Sequence, residues 1–223
     1  QADDLVVENS DEGGITIITP DASSARIRFT SPSTNTDVGG ATIFYRQNIN
    51  TMNMGTAVSG GKLQLLSGEG NVSILADASG HVTMAKQPCF QVKNASEQSN
   101  ISINTGTTIA FGTEIIDKGG NFASNTFTAP VTGSYLLGLK LNLQTVDSAA
   151  DYYRLRLATA NRNYDFFLDP DVGQDPALWT FHFTMVADMD ASDTAQGNFY
   201  QAGGTAQTDL RNGECQFFGH LIA

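Results

Sequence analysis

The 223 residues carry 23 Asp and Glu against 12 Lys and Arg, a formal charge of −11, so the chain lacks the basic footprint that nucleic acid or an anionic membrane requires. Only 16 % of residues are charged while 40 % are hydrophobic, and Asn, Ser and Thr are abundant, which suits extracellular β proteins and fibres better than cytosolic enzymes. No apolar run reaches the length of a membrane span, so no membrane insertion is expected.

The chain opens on Gln1 without a signal peptide, and the expectation is a fragment whose N-terminal part is missing. From residue 5 to about 85, apolar pairs recur at i and i+2: Ile15/Ile17, Ile27/Phe29, Ile43/Tyr45, Met52/Met54, Leu63/Leu65, Val72/Ile74 and Val82/Met84. Turn-formers separate them, in SPSTNTDVGG, SGG, SGEGN and DASGH. Strands this short offer too little apolar surface to offset backbone ordering, which costs about 1–2 kcal/mol per residue. Residues 1–86 therefore read as a β-structured shaft wrapped with other copies of the chain; a small β-sandwich or a flexible linker is the alternative.

From residue 87 the strands lengthen and aromatics concentrate. Strands are expected at CFQV, NISIN, TIAFGTEI, NTFTAP, GSYLLGLKLNL, YYRLRLATA, NYDFFL, LWTFHFTMVADM, AQGNFYQ and CQFFGHLIA, with no helical periodicity. In the fifth, Tyr135, Leu137, Leu139, Leu141 and Leu143 share one face, after Pro130 excludes a helix and Gly133 permits a tight corner. Tyr153, Leu155 and Leu157 oppose Arg154 and Arg156, and Phe181, Phe183 and Met185 oppose Thr180, His182 and Thr184. The chain is thus all-β, and 87–223 is expected to be a ten-stranded antiparallel sandwich or barrel.

The stretch FTAPVTGSYLL resembles the signature of the complement C1q globular-head family, which shares its fold with the tumour necrosis factor superfamily. Phe127, Gly133 and Tyr135 take its fixed places; Leu137 and Leu139 stand where it carries aromatics, and Phe122 lies near an upstream aromatic position. The resemblance covers about 87–223 and implies a jelly roll that forms a homotrimer, with the first and last strands adjacent near the axis. On that reading Cys89 and Cys215 lie on neighbouring strands, where a disulfide is possible but not required, and His182 and His220 face the trimer interface. The front half looks like the shaft segments of bacteriophage tail-fibre and related virion appendage proteins, a rhythm carried by Ile15, Pro20, Arg26, Phe29, Gly40, Ile43, Tyr45, Met52 and Met54.

Little in the chain suggests catalysis. GTAVSGGKL (55–63) brushes against a phosphate loop but has Gly61 before Lys62, Leu63 in place of Ser or Thr, and no helix after it. No nucleophile elbow, zinc-protease motif or redox cysteine pair occurs, and no acid pair for glycoside hydrolysis is displayed. Asp169, Asp171 and Asp175 in DPDVGQD place oxygen ligands on a turning loop, the chemistry of calcium, though the distal Glu of a calcium loop is missing. Tyr164, Trp179 and Tyr200 are candidates for stacking on a sugar.

The resulting expectation is a non-enzymatic, homotrimeric virion fibre without a cofactor, calcium on the Asp loop excepted. It acts outside the cell, its head (87–223) attaches to a host surface receptor of glycan type, and its missing N-terminal part joins other virion proteins. A head that only trimerises, or a secreted C1q-like lectin, is the alternative.

Overall fold

The computed structural model describes residues 7–8, 10–30 and 40–223, so Leu5 and all of the expected turn at 31–40 except Gly40 lie outside the described residues. The chain divides into two compact units, Gln1–Ala85 and Lys86–Ala223.

The first unit holds two three-stranded antiparallel sheets. One is built from β1 (Ser24–Phe29), β2 (Ala41–Arg46) and β3 (Thr51–Thr56), the other from β4 (Leu63–Ser67), β5 (Asn71–Ala76) and β6 (Val82–Thr83). The register of β1 to β3 aligns Ile27 with Ile43 and Met54, and Ala25 with Tyr45 and Met52. That row and its neighbours Phe29 and Ala41 form one apolar face. The opposite face carries Arg26, Arg28 and Arg46, with Arg26 and Arg46 lying 5.9 and 5.3 Å from the ring centre of Phe44. The expected Ile15/Ile17 pair is not in a strand. The DASGH turn closes on Asp77, whose Oδ1 accepts from the amides of Ser79 and His81. Among the described residues of this unit, none is fully buried.

The second unit is a sandwich of two six-stranded antiparallel sheets. The inner sheet runs β15 (Leu178–Met189), β12 (Gly133–Gln144), β18 (Gln216–Leu221), β7 (Cys89–Lys93) and β9 (Thr113–Lys118), with β17 (Asp209–Leu210) also on β12. The outer sheet runs β10 (Phe122–Ala123), β11 (Thr126–Thr128), β16 (Thr194–Gly203), β13 (Ala150–Thr159) and β14 (Asn163–Leu168), with β8 (Thr107–Thr108) also on β16. This is the jelly-roll order: β11 in one sheet leads directly to β12 in the other, and the last strand lies between β12 and β7. Between the sheets lie the inward residues of β12, β13 and β16, and a ring cluster in which Phe90 sits 4.5 Å from Phe127 and 4.8 Å from Phe217. Such ring pairs add roughly 0.5–1.5 kcal/mol beyond their buried area.

The Phe127-Gly133-Tyr135 motif spans the crossing between sheets. Phe127 and Tyr135 are buried with ring centres 5.5 Å apart, and the Tyr135 hydroxyl donates to the Val131 carbonyl at 2.8 Å. Gly133 is not among the residues with positive φ, so the expected need for a tight corner is replaced by close approach. A Cβ there would lie 2.5 Å from the Ala223 carbonyl oxygen.

Several expectations are corrected. The sandwich has twelve strands, not ten, because β10 and β17 are two-residue pieces without a sequence signature and the expected strand TIAFGTEI splits into β8 and β9, one in each sheet. Residues 100–104 form no strand: Asn100 and Asn104 adopt φ of 56° and 57°, which breaks the extended run, although Ile101 is buried and its amide reaches the Thr208 carbonyl at 3.0 Å. Cys89 and Cys215 are both free thiols. Strands β7 and β18 are neighbours, but their register puts Cys89 opposite His220, while Cys215 precedes β18 in the core. Adjacency of strands therefore does not bring the sulfurs together.

Asp147 ties down the loop that returns from β16. Although only 2 % exposed, its carboxylate accepts the amides of Ala149 (2.9 Å), Ala206 (2.7 Å) and Thr205, and its carbonyl meets the buried Tyr153 hydroxyl at 3.2 Å. Burial pushes its pKa up, but these amides outweigh burial and hold it below the ordinary carboxylate value. Its contribution is therefore complete above the unfolded carboxylate pKa and is lost as pH falls through the lower folded value. Asp147→Ala is expected to lower unfolding stability in urea by about 1–2 kcal/mol at pH 7, because it leaves three part-buried amides without their acceptor. The difference from the parent should shrink as the pH drops below the ordinary carboxylate range. Burial pushes the Cys215 thiol up to about 11. Iodoacetamide at pH 8 is accordingly expected to spare Cys215 in the folded protein and modify it after denaturation, with no reductant needed.

Candidate functional site

Alternation on the inner sheet sends one set of side chains to the core and the other to an outward face. On that outward face β12 presents Leu136, Lys140 and Asn142, and register fixes their neighbours. Lys140 lies between His182 and Gln216, and Leu136 lies between Val186 and His220, with Cys89 beyond His220. Both histidines singled out in the sequence are therefore exposed on the same face and absent from the core. Phe218 lies over Gly138, where a Cβ would come 2.2 Å from the ring. Beside it is a hollow of about 290 Å³ lined by Cys89, Gln91, Ile116, Phe218 and His220. Charge on the face is sparse: Lys140 reaches Glu214 at 3.5 Å. Asn142 donates to the Thr180 hydroxyl while its own Oδ1 is buried without a partner. At the β14–β15 side of the sandwich, Phe166 stacks on Phe181 and Phe183 at 5.9 and 6.1 Å and remains 37 % exposed. Val186, 55 % exposed, carries the apolar character on to the outward face.

The outer sheet has its own outward face, and here the three aromatic candidates separate. Tyr164 and Trp179 pack against the core, and burial pushes the Tyr164 hydroxyl pKa up. Tyr200 faces outward. Register sets Phe167, Arg154 and Tyr200 in one row across β14, β13 and β16. The Arg154 guanidinium carbon lies 4.9 Å from the Tyr200 ring centre. Tyr152, two residues earlier on β13, stacks on Tyr200 at 6.0 Å and meets Phe167 edge-on at 5.5 Å. One row further, Arg156 holds Asp165 through two bonds of 2.6 and 2.7 Å. The hydrogen bond from Arg156 is the main reason the Asp165 carboxyl lies below its ordinary pKa. Sequence reasoning missed Tyr152 and Arg154 as partners of Tyr200. The alternation of β13 did mark Arg154 as outward, but only the pairing with β16 places it beside Tyr200.

The structure does not gather the DPDVGQD carboxylates. Asp169 accepts the Asp171 amide at 3.1 Å, a local turn, while Asp175 accepts the amide and hydroxyl of Ser148 at 2.9 and 2.7 Å. Among the described residues no group of three or more His, Cys, Asp or Glu side chains is placed to hold a metal ion. Asp169 and Asp175 are instead each used to cap a backbone amide, at different places on the chain.

No protein-family model matches the sequence, and no curated protein does. Among solved structures, the globular domain of a zebrafish complement 1qA protein is similar at 16 % identity and a TM-score of 0.45, over 61 % of this chain and 98 % of that one. A crystal structure of murine APRIL is similar at 11 % identity and a TM-score of 0.45, over 61 % of this chain and all of that one. A second murine APRIL structure gives 11 % identity and a TM-score of 0.44 over the same share.

Proposed function

We propose that the chain is a non-enzymatic, homotrimeric virion appendage protein, with a thin β shaft over 1–86 and a jelly-roll head over 87–223 that attaches to a host-surface receptor. The observation that carries this reading is the uncovered apolar face of β1 to β3. Ile27, Phe29, Met52 and Met54 on that face are 50, 57, 65 and 52 % exposed in a single copy. Burying such a side chain stabilises by about 1.5–3 kcal/mol, and the ordered strands need that gain. A second and a third copy supply identical apolar faces, and three of them round one axis close a core while Arg26, Arg28 and Arg46 stay in water. The number three follows the C1q-head resemblance at Phe127, Gly133 and Tyr135. Within the head, the outward face of the inner sheet, with Val186, Phe218, His182 and His220, is the surface assigned to the other copies. A donor from a neighbouring copy would complete the orphaned Asn142 Oδ1. Three heads on one shaft would turn weak receptor contacts into firm attachment.

Light scattering on the full chain tests the assembly. The expected mass is three times 23.8 kDa. Met54→Asp, which forces a charge into the shaft core, should lower the melting temperature by several degrees and reduce the trimer fraction. A monomeric parent, or a variant indistinguishable from it, would overturn the shared-axis shaft.

A further inference from the structure

We infer that the outward face of the outer sheet binds a carboxylate-bearing sugar, with Arg154 as the anion contact and the rings of Tyr200, Tyr152 and Phe167 as the platform. The starting point is an imbalance between two arginines on one strand. Arg156 has its carboxylate, Asp165, in a bidentate pair. Arg154, two residues away on the same face, forms no ion pair among the described residues, and its Nε is buried without a hydrogen-bond partner. A guanidinium half covered by rings has shed water and gained only the face of Tyr200 in return. Buried polar groups in folded proteins are otherwise nearly always paired. An external anion meeting the terminal nitrogens would supply what the chain withholds, and a planar carboxylate matches the guanidinium fork.

The surroundings favour a sugar as the carrier of that carboxylate. Phe167 is 57 % exposed, and Tyr152 sits between it and Tyr200, so adjoining ring surfaces are available to the C–H face of a pyranose. Polar side chains border the rings: the Tyr200 hydroxyl lies 3.4 Å from Asn104 Oδ1, and Asn198 pairs with the Thr108 hydroxyl at 3.2 Å. These amides and hydroxyls exchange bonds readily with sugar hydroxyls. Aromatic stacking, neutral hydrogen-bonding groups and one cation without a directly bonded carboxylate describe the chemistry of a uronic or sialic acid more closely than that of a neutral hexose. The inference takes its biological setting from the attachment role proposed above, but its residues and ligand class stand on this face alone.

Calorimetric titration of the full chain with tri-galacturonate and sialyllactose, against galactotriose and lactose as neutral counterparts, tests it. The expected result is at least tenfold tighter binding of an acidic sugar than of its neutral counterpart, weakening as salt is raised. Arg154→Gln should reduce acidic-sugar affinity about tenfold or more and erase the preference, and Tyr200→Ala should weaken the sugar by a similar factor. Arg154→Lys, which keeps the charge without the fork, should recover part of the loss. Arg162→Gln, which removes an exposed arginine paired with Asp188 and not with this face, serves as the folded control that keeps the preference, its circular dichroism spectrum unchanged. Equal affinity for acidic and neutral sugars, full retention in Arg154→Gln, or no binding of any of the four overturns the site. Binding of the neutral sugars alone overturns this site while leaving attachment to a glycan intact, so the two readings fail separately.

Discussion

The second unit depends on the alternation of β12. Tyr135, Leu137, Leu139, Leu141 and Leu143 all reach zero exposure, and the strand bonds β15 along one edge and β18 with β17 along the other. A slip of one residue would turn all five outward and draw Leu136, Lys140 and Asn142 inside. At about 1.5–3 kcal/mol for each apolar side chain, such a slip would cost as much as the 5–15 kcal/mol by which domains are usually stable. One register survives, and it in turn determines which residues of β15 and β18 meet on the outward face.

The acidic composition has a structural explanation that runs through both units. Asp77, Asp117, Asp147, Asp169, Asp175, Asp193 and Asp209 each accept at least one backbone amide in a turn or loop. A carboxylate is the most economical cap for a bend because two oxygens meet several donors without a second side chain. Loops built this way look in sequence like cation or catalytic sites, and in space they are staples. The surplus of negative charge thus reflects many turns rather than one acidic centre.

Legibility in the sequence tracked the length of the strands. The inward and outward sides of β12, β13 and β15 could be read directly because alternation persists over ten or twelve residues in each. The outward placement of His182 belongs to the same signal. Two-residue strands such as β10 and β17 carry no period to detect, and at 100–104 left-handed asparagines overrode an apolar alternation. The pairing of Arg154 with Tyr200, and the separation of Cys89 from Cys215, are matters of register between distant strands. Composition and spacing along one strand hold no information about that.

The position of β18 bears on biosynthesis. In the order β15-β12-β18-β7-β9 it is, among the described residues, the strand whose ladders join two halves that otherwise share no ladder. It is also the last of the described strands, and beyond it the Ala223 carbonyl accepts the Ser134 amide at 2.7 Å. The inner sheet therefore cannot close until residues 216–221 have been made, and strands made earlier must wait with open edges. Sheets such as β1–β2–β3, joined only between successive strands, face no such delay. Emerging chains would thus carry an unfinished sandwich, a condition in which exposed strand edges favour chaperone capture or cross-pairing between neighbouring nascent chains.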